Sequence, residues 1–446
     1  MIDSWFNAGL CLIVVTTNLL PPPERGGGVS PAAESFNLAA PAEDSLKRVI
    51  TTLNAVLFLF SGVWPRNRRK LVFGAWLGTR FADNPKYLLL HLAAQAPELD
   101  LVWIGKDDVR ATMPAGLPAR FVRRGSWSAL YETLSAGFCF ITHHTQDIAL
   151  LNVLRGATVV YLGHGLALKH MGTPRFPLSS RVLEIARSAV RKAESYAFFV
   201  ASSQSHVEKL LREYAINGAN RDNILSTGQP RVDFLLENKA SVSAEVIRAK
   251  LLSTRAIPTA QRIIAYLPTF RDKRKRAFSF LTIEGSDRER LHSLLDRHNA
   301  VILEKSHFAD ARREGEAEAS GSRRVFGLGD GTPVDTQELL LSTDLLITDY
   351  SGCYFDYLVL NRPVLHFAYD RHYYTNSDRG LYFDLDEVAA GPVVERFEDI
   401  CDQIEQELLN PDRHRERREK VRKNLMAFET GDSCRKILSA VLGIHS

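Results

Sequence analysis

At 446 residues the chain is too long for one ordinary hydrophobic core and fits two domains. A composition of 45% hydrophobic and 24% charged residues is that of a soluble globular protein, and a formal charge of +4 over this length argues against a nucleic-acid partner. The 5 cysteines are scattered without CxxC spacing, which fits neither a disulfide framework nor a zinc site and suits a reducing compartment; no metal ligands are singled out, and a metal requirement is left open.

Residues 1–45 read as a poorly ordered N-terminal segment, in which an apolar run, "GLCLIVVTTNLL", precedes the linker-like "PPPERGGGVSPAAES". Residues 1–9 carry no Lys or Arg, against a signal peptide. Residues 46–66 hold a second apolar stretch, "VITTLNAVLFLFSGVW", flanked by Lys47 and Arg48 and by the basic cluster Arg66 to Lys70. It falls short of the roughly 20 residues a spanning helix needs. A helix lying in the membrane interface is the expectation, with a core helix of the first domain as the alternative.

From residue 67 the pattern alternates strand and helix: "KLVFGAW", "NPKYLLLHLAAQAP", "LDLVWIG", "SWSALYETLSAG", "FCFITHH", "ATVVYLGHG", "FFVASS". It restarts at "RIIAYLPTF" and continues through "AVILEKS", "DLLITDYSG" and "RPVLHFAYD". The expected fold class is α/β, two Rossmann-like doubly wound domains over residues 67–240 and 258–446. Ligands of such sheets sit beyond the carboxyl ends of the strands, here in the cleft between halves.

That rule singles out the residues just past each strand. His164 lies between Gly163 and Gly165 after an apolar strand, with Lys169 close behind. The glycines are expected to keep His164 exposed and to let an acceptor hydroxyl approach. In "GQPRVDFLL", Arg231 and Asp233 read most simply as a turn with an Arg–Asp pair. "YLPTFRD" sets Thr269 and Arg271 at a rim, where arginine suits phosphate, although a surface arginine reads as well. "VILEKSHF" puts Lys305 and His307 beyond another strand. In "DLLITDYSGCYFDYLVL", Ser351 caps a helix whose N–H groups suit an anion, Gly352 admits a phosphate, and Asp349 orients a hydroxyl or a basic partner. An ordinary strand-to-helix turn reads as well. Taken together, these strand ends suit a nucleoside diphosphate in the cleft with His164 facing it as general base. No Walker A or GxGxxG pattern is present.

The segments "HGLALKHMG", "GQPRVDFL", "YLPTFRD", the histidine of "LEKSH", "LLITDYSGCYFDYLVLNRPVLHFAYD" and "RGLYFDLDEVAAGPVV" occur in an order that resembles the CDP-glycerol glycerophosphotransferase family, the teichoic-acid and capsule polymer primases and polymerases. "NPKYL" is similar to that family's N-terminal pattern. The resemblance runs from about Arg69 to about Phe397. It implies a glycosyltransferase-B fold and transfer of a glycerol-phosphate (polyol-phosphate) unit from CDP-glycerol or a similar CDP-polyol to an acceptor hydroxyl, with release of CMP. No cofactor is implied beyond that substrate. The implied partners are a lipid-linked or polymeric polyol-phosphate acceptor and the cytoplasmic membrane face, where the enzyme would sit peripherally; a homo-oligomer is compatible with it.

Carried over by motif, His164 is the candidate base and His307 is set against the diphosphate. Arg271, Thr269, Lys305, Thr348, Asp349, Tyr350, Ser351, Gly352 and Asp356 fall on the donor side, and Gly163, Gly165, Lys169, Arg231 and Asp233 on the acceptor side or in structural roles. The chain departs from the pattern at Gly352, where a second serine is common, at Gly163, where an aromatic is usual, at Ala390 and at Phe308, where prolines are usual. A glycosyltransferase or epimerase acting on a nucleotide sugar is the alternative with the same cleft.

Overall fold

The computed structural model describes residues 54, 56–168, 195–254, 257, 260, 262–269, 271, 278–305, 324–328, 334–377 and 380–443. The 1–45 segment, part of 46–66, Lys169, His307 and Phe308 lie outside the described residues.

Two parallel sheets form the frame. The first has seven strands in the order β3-β2-β1-β4-β5-β6-β7: β1 (Asn67–Phe73), β2 (Asp100–Gly105), β3 (Arg120–Arg123), β4 (Ala136–Ile141), β5 (Thr158–Tyr161), β6 (Phe198–Val200) and β7 (Ile224–Leu225). The second has six, ordered β10-β9-β8-β11-β12-β13: β8 (Arg262–Leu267), β9 (Ala300–Glu304), β10 (Val325–Gly327), β11 (Leu345–Thr348), β12 (Val364–Phe367) and β13 (Val393–Val394). Strand order reverses between β1 and β4 and between β8 and β11, the switch points where doubly wound sheets open a crevice.

The strands are nearly continuous apolar runs because both faces of each sheet are covered. Along β1, Leu71 and Phe73 enter one core with Trp103 and Phe140, while Val72 enters another with Ile104 and Ile141. In the second sheet, Ile263 and Ala265 face one core and Ile264 and Tyr266 the other. This is the two-residue alternation of a pleated strand.

The halves exchange elements. Helix α1 (Asp83–Gln95) covers the first sheet, and α2 (Pro230–Asn238) comes after β7 in sequence. Yet Val232 and Leu235 of α2, with Leu166 and Leu168 from beyond β5, belong to the core of the second sheet. Conversely the last helix, α3 (Ser433–Leu442), which sequence reading assigns to the second domain, packs Cys434, Ile437 and Leu438 against Leu88, Leu92 and Leu101 of the first half. Its apolar stripe finds its partner there, and Asp233 caps it, accepting from the backbone N–H of Ser433 at 3.0 Å and Cys434 at 2.8 Å.

Residues 56–61 are helical, with Val56, Leu59 and Phe60 exposed and Ser61 buried. Leu59, Phe60 and Val63 are 56%, 70% and 85% exposed, an apolar patch with Trp64 at its end. Arg66 ties the segment to the first half, donating to the carbonyls of Ser61, Thr133 and Val153. Among the described residues, no helix is long and apolar enough to cross a membrane.

Candidate active site

His164 stands beyond the end of β5, between glycines in the left-handed region at φ 64° (Gly163) and 78° (Gly165). Its Nδ1 lies 2.8 Å from Oδ2 of Asp83, the first residue of α1. Because a carboxylate accepts there, Nδ1 carries the proton and Nε2 is the basic nitrogen. Among the described residues, Nε2 is buried and has no hydrogen-bond partner. Burial alone would push the Asp83 carboxyl up, yet Arg231 and His164 beside it hold it well below the usual carboxylate range.

Arg231 does not pair with Asp233, which is spent on capping α3. Its Nη1 lies 2.6 Å from Oδ1 of Asp83 and its Nε 2.8 Å from Oδ2 of Asp356, while Nη2 donates to the His164 carbonyl. Asp356 also accepts from Gln337 Nε2 at 2.9 Å. Burial pushes the Asp356 carboxyl up, opposed by the Arg231 guanidinium. The space beside Gly165 therefore serves Arg231, not an acceptor: a Cβ there would lie 2.6 Å from Arg231 Nη2. Asn84 completes the setting. Its side chain donates to the Gly163 carbonyl at 2.9 Å and accepts from the Arg231 N–H at 3.2 Å.

The motifs that the sequence resemblance puts on the donor side gather at the ends of β8, β9, β11 and β12. Asp349 accepts from the Thr269 N–H at 2.8 Å and meets Arg271 Nη2 at 2.8 Å. Arg271, however, is not at the rim. It is 1% exposed, its Nε is 2.8 Å from Asp370, and the rings of Tyr350, Tyr369 and Tyr374 surround it. Burial alone would lower its pKa, but Asp349 and Asp370 raise it above the ordinary value, so its charge is permanent and already matched. Among the described residues the buried Thr269 hydroxyl has no partner, and Thr348 Oγ1 donates to the Leu267 carbonyl at 2.7 Å.

Ser351 does not cap the next helix. Gly352 occupies the cap position, and Ser351 Oγ lies 3.2 Å from Cys353 Sγ. The helix itself, Cys353–Tyr357, is short and runs on into a 3₁₀ turn at Leu358–Leu360. Gly352 has a structural reason: a Cβ there would lie 3.0 Å from the Leu166 carbonyl, where the two halves touch. Lys305, beyond β9, donates to the Val334 carbonyl at 2.7 Å and Thr336 Oγ1 at 2.8 Å. Burial pushes its ammonium down to about 8; Asp335 opposes this, while Arg80 and Lys86 add to it. Asp335 joins the halves by accepting from Lys86 Nζ and Tyr87 OH, each at 2.7 Å.

The residues that sequence reading missed are Asp83, His143 and Trp76. Asp83 directly precedes the "NPKYL" motif, which was the available signal. His143 lies beyond β4, and its ring centroid is 3.6 Å from that of His164, while Trp76, beyond β1, is 4.9 Å away. Among the described residues no cluster of His, Cys, Asp and Glu could hold a metal ion.

The site thus joins a carboxylate-held imidazole beyond the first sheet, through Arg231, to Asp356 of the second half. The structure superposes on that of the wall teichoic acid polymerase TagF with a TM-score of 0.70, at 21% identity over 90% of this chain and 95% of that one. This is the glycosyltransferase-B fold. In sequence the chain is similar to the teichoic acid poly(glycerol phosphate) polymerase of Bacillus spizizenii, 24% identical over 414 residues, 89% of this chain and 98% of that protein. It is 26% identical over 381 residues to the teichoic acid glycerol-phosphate transferase of Staphylococcus aureus, covering 84% of this chain and 93% of that one. It spans only 47% of the Bacillus subtilis poly(glycerol phosphate) polymerase, at 25% identity. The model of the CDP-glycerol:poly(glycerophosphate) glycerophosphotransferase family matches residues 56–443, and the chain belongs to that family.

Proposed function

We propose that this protein transfers glycerol phosphate, or a closely related polyol phosphate, from its CDP-activated form to the terminal hydroxyl of a polyol-phosphate acceptor, with His164 as the base. The observation that carries this reading is the His164–Asp83 pair, joined through Arg231 to Asp356 on the donor half. His164 Nε2 takes the proton of the acceptor hydroxyl, whose oxygen attacks the phosphorus bearing glycerol. The P–O bond to CMP breaks, and CMP leaves with the bonding electron pair. Such a transfer is mainly positioning and electrostatics.

Lys305 supplies a cation for the diphosphate, and His307, two residues further on, is assigned the same side. Arg271, enclosed by carboxylates, acts through Asp349 and so fixes the turn between Thr348 and Gly352; it is a positioning residue. The acceptor is lipid-linked or polymeric and the protein works peripherally at the cytoplasmic membrane face. The exposed apolar patch Leu59–Trp64, beside the exposed Arg68 and Arg69, supports this.

The test is CMP or UMP release from CDP-glycerol, CDP-ribitol and a UDP-sugar in the presence of a phosphoglycerol-primed acceptor. Release from a CDP-polyol with growth of the acceptor is expected. Turnover of the UDP-sugar alone would make the protein a nucleotide-sugar enzyme on the same fold.

A further inference from the structure

The loop beyond β1 is held in an unusual conformation. Trp76 and Leu77 both have positive φ, 53° and 54°, and Gly78 comes next at 74°. Side chains rarely tolerate this region, so consecutive residues are kept there only when surrounding contacts impose it. The fully buried carboxylate of Asp147 imposes it. Oδ1 accepts from the Leu77 N–H at 2.7 Å. Oδ2 accepts from the N–H groups of Thr142 and His143, each at 2.8 Å, and from Thr142 Oγ1 at 3.0 Å. One carboxylate therefore clamps the Trp76 loop to the His143 turn. Thr142 Oγ1, its own proton given to Asp147, accepts from the Trp76 N–H at 3.3 Å and faces His143 Nδ1 at 3.1 Å. That contact fixes the orientation of the second imidazole.

The clamp brings two rings onto the base. The His143 centroid is 3.6 Å and the Trp76 centroid 4.9 Å from that of His164, and they are 4.6 Å from each other. The Nε2 atom of His164 is itself buried and, among the described residues, has no hydrogen-bond partner. A base that faces an activated diphosphate and is open to water would catalyse hydrolysis, which releases CMP and free polyol phosphate. We propose that Trp76 and His143 are specificity-determining residues that shield His164 from water, so that the base meets only a polyol hydroxyl able to displace or pack against these rings. The competing step needs no further reactant: water loses a proton to His164 Nε2, its oxygen bonds to phosphorus, and CMP departs.

This inference rests on His164 being the base, and the experiment separates the two claims. CMP release from CDP-glycerol is measured with and without a phosphoglycerol-primed acceptor for wild type, His143→Ala, Trp76→Leu, His164→Ala and the His143→Ala/His164→Ala double variant. A general base contributes about 10²- to 10⁴-fold, so turning it on water is expected to raise acceptor-independent release by about tenfold or more in His143→Ala, and the double variant to abolish the gain. Donor KM is expected to be unchanged. If His143→Ala loses its fold, judged by thermal melting, Trp76→Leu and His143→Gln carry the same comparison. Unchanged hydrolysis, or a parallel fall of hydrolysis and transfer, would overturn the shield. A rise in hydrolysis that persists in the double variant would also overturn it. Transfer that survives in His164→Ala would instead overturn the base assignment itself.

Discussion

Arg231 lies 2.6 Å from Asp83, with its Nε turned to Asp356 at 2.8 Å, so one buried guanidinium joins the carboxylate that holds His164 to a carboxylate of the second half. Arg231→Met would leave both carboxylates buried without their cation. A loss of about 3–5 kcal/mol in unfolding free energy is expected, measured by urea titration. The pH dependence comes from the depressed Asp83 carboxyl. A lowered folded-state pKa adds stability above the unfolded value, and that stability is lost as pH falls towards the folded one. Without Arg231 the depression shrinks, so the acid-unfolding midpoint moves to higher pH. An unmoved midpoint would mean that Arg231 is not what holds Asp83 ionised.

Asp83→Asn keeps the shape of the pair and removes the charge that fixes the His164 tautomer. Turnover is expected to fall by about 10²- to 10⁴-fold, with CDP-glycerol affinity retained, as read by steady-state kinetics and equilibrium binding. Loss of donor binding in step with turnover would place Asp83 in donor recognition instead.

With Lys305 proposed to face the donor diphosphate, donor binding carries a pH signature. Its ammonium is lowered to about 8, whereas a donor diphosphate favours the charged form. Donor affinity should therefore weaken as pH rises through about 8. In Lys305→Arg that limb should vanish, since guanidinium stays charged across the range. A pH-independent KM in the wild type would remove Lys305 from the donor site.

Gly165→Ala meets both a φ of 78° and the Arg231 guanidinium at 2.6 Å, whereas Gly116→Ala meets a φ of 75° with nothing within 4 Å. The backbone cost of a left-handed residue is about 1–2 kcal/mol at either site. Any excess for Gly165→Ala reports the clash and should disappear when Arg231 is shortened to Met, a comparison made by thermal or urea unfolding of single and double variants.

The sheets were legible because parallel strands are apolar on both faces and each ends in punctuation such as "GHG", "LPT" or "DYSG". The site was legible only where its residues lie just past such strand ends, as with His164, Lys305 and Asp349. What joins them was not. Asp83 meets His164 across 81 positions and Arg231 across 148, and no local pattern encodes such pairings. Proximity in sequence misled for the same reason: Arg231 and Asp233 share a turn of helix yet serve different partners. Arg271 reads as a rim arginine because the carboxylate of Asp370, 99 positions away, is invisible until the chain folds.

Whether His164 is the base is decided by His164→Ala in the intact protein, with single-turnover transfer from CDP-glycerol and equilibrium binding of CDP-glycerol measured on the same preparation. Transfer is expected to fall by about 10²- to 10⁴-fold with donor binding close to wild type. Transfer retained at the wild-type rate, or lost only in proportion to donor binding, would contradict the assignment of His164.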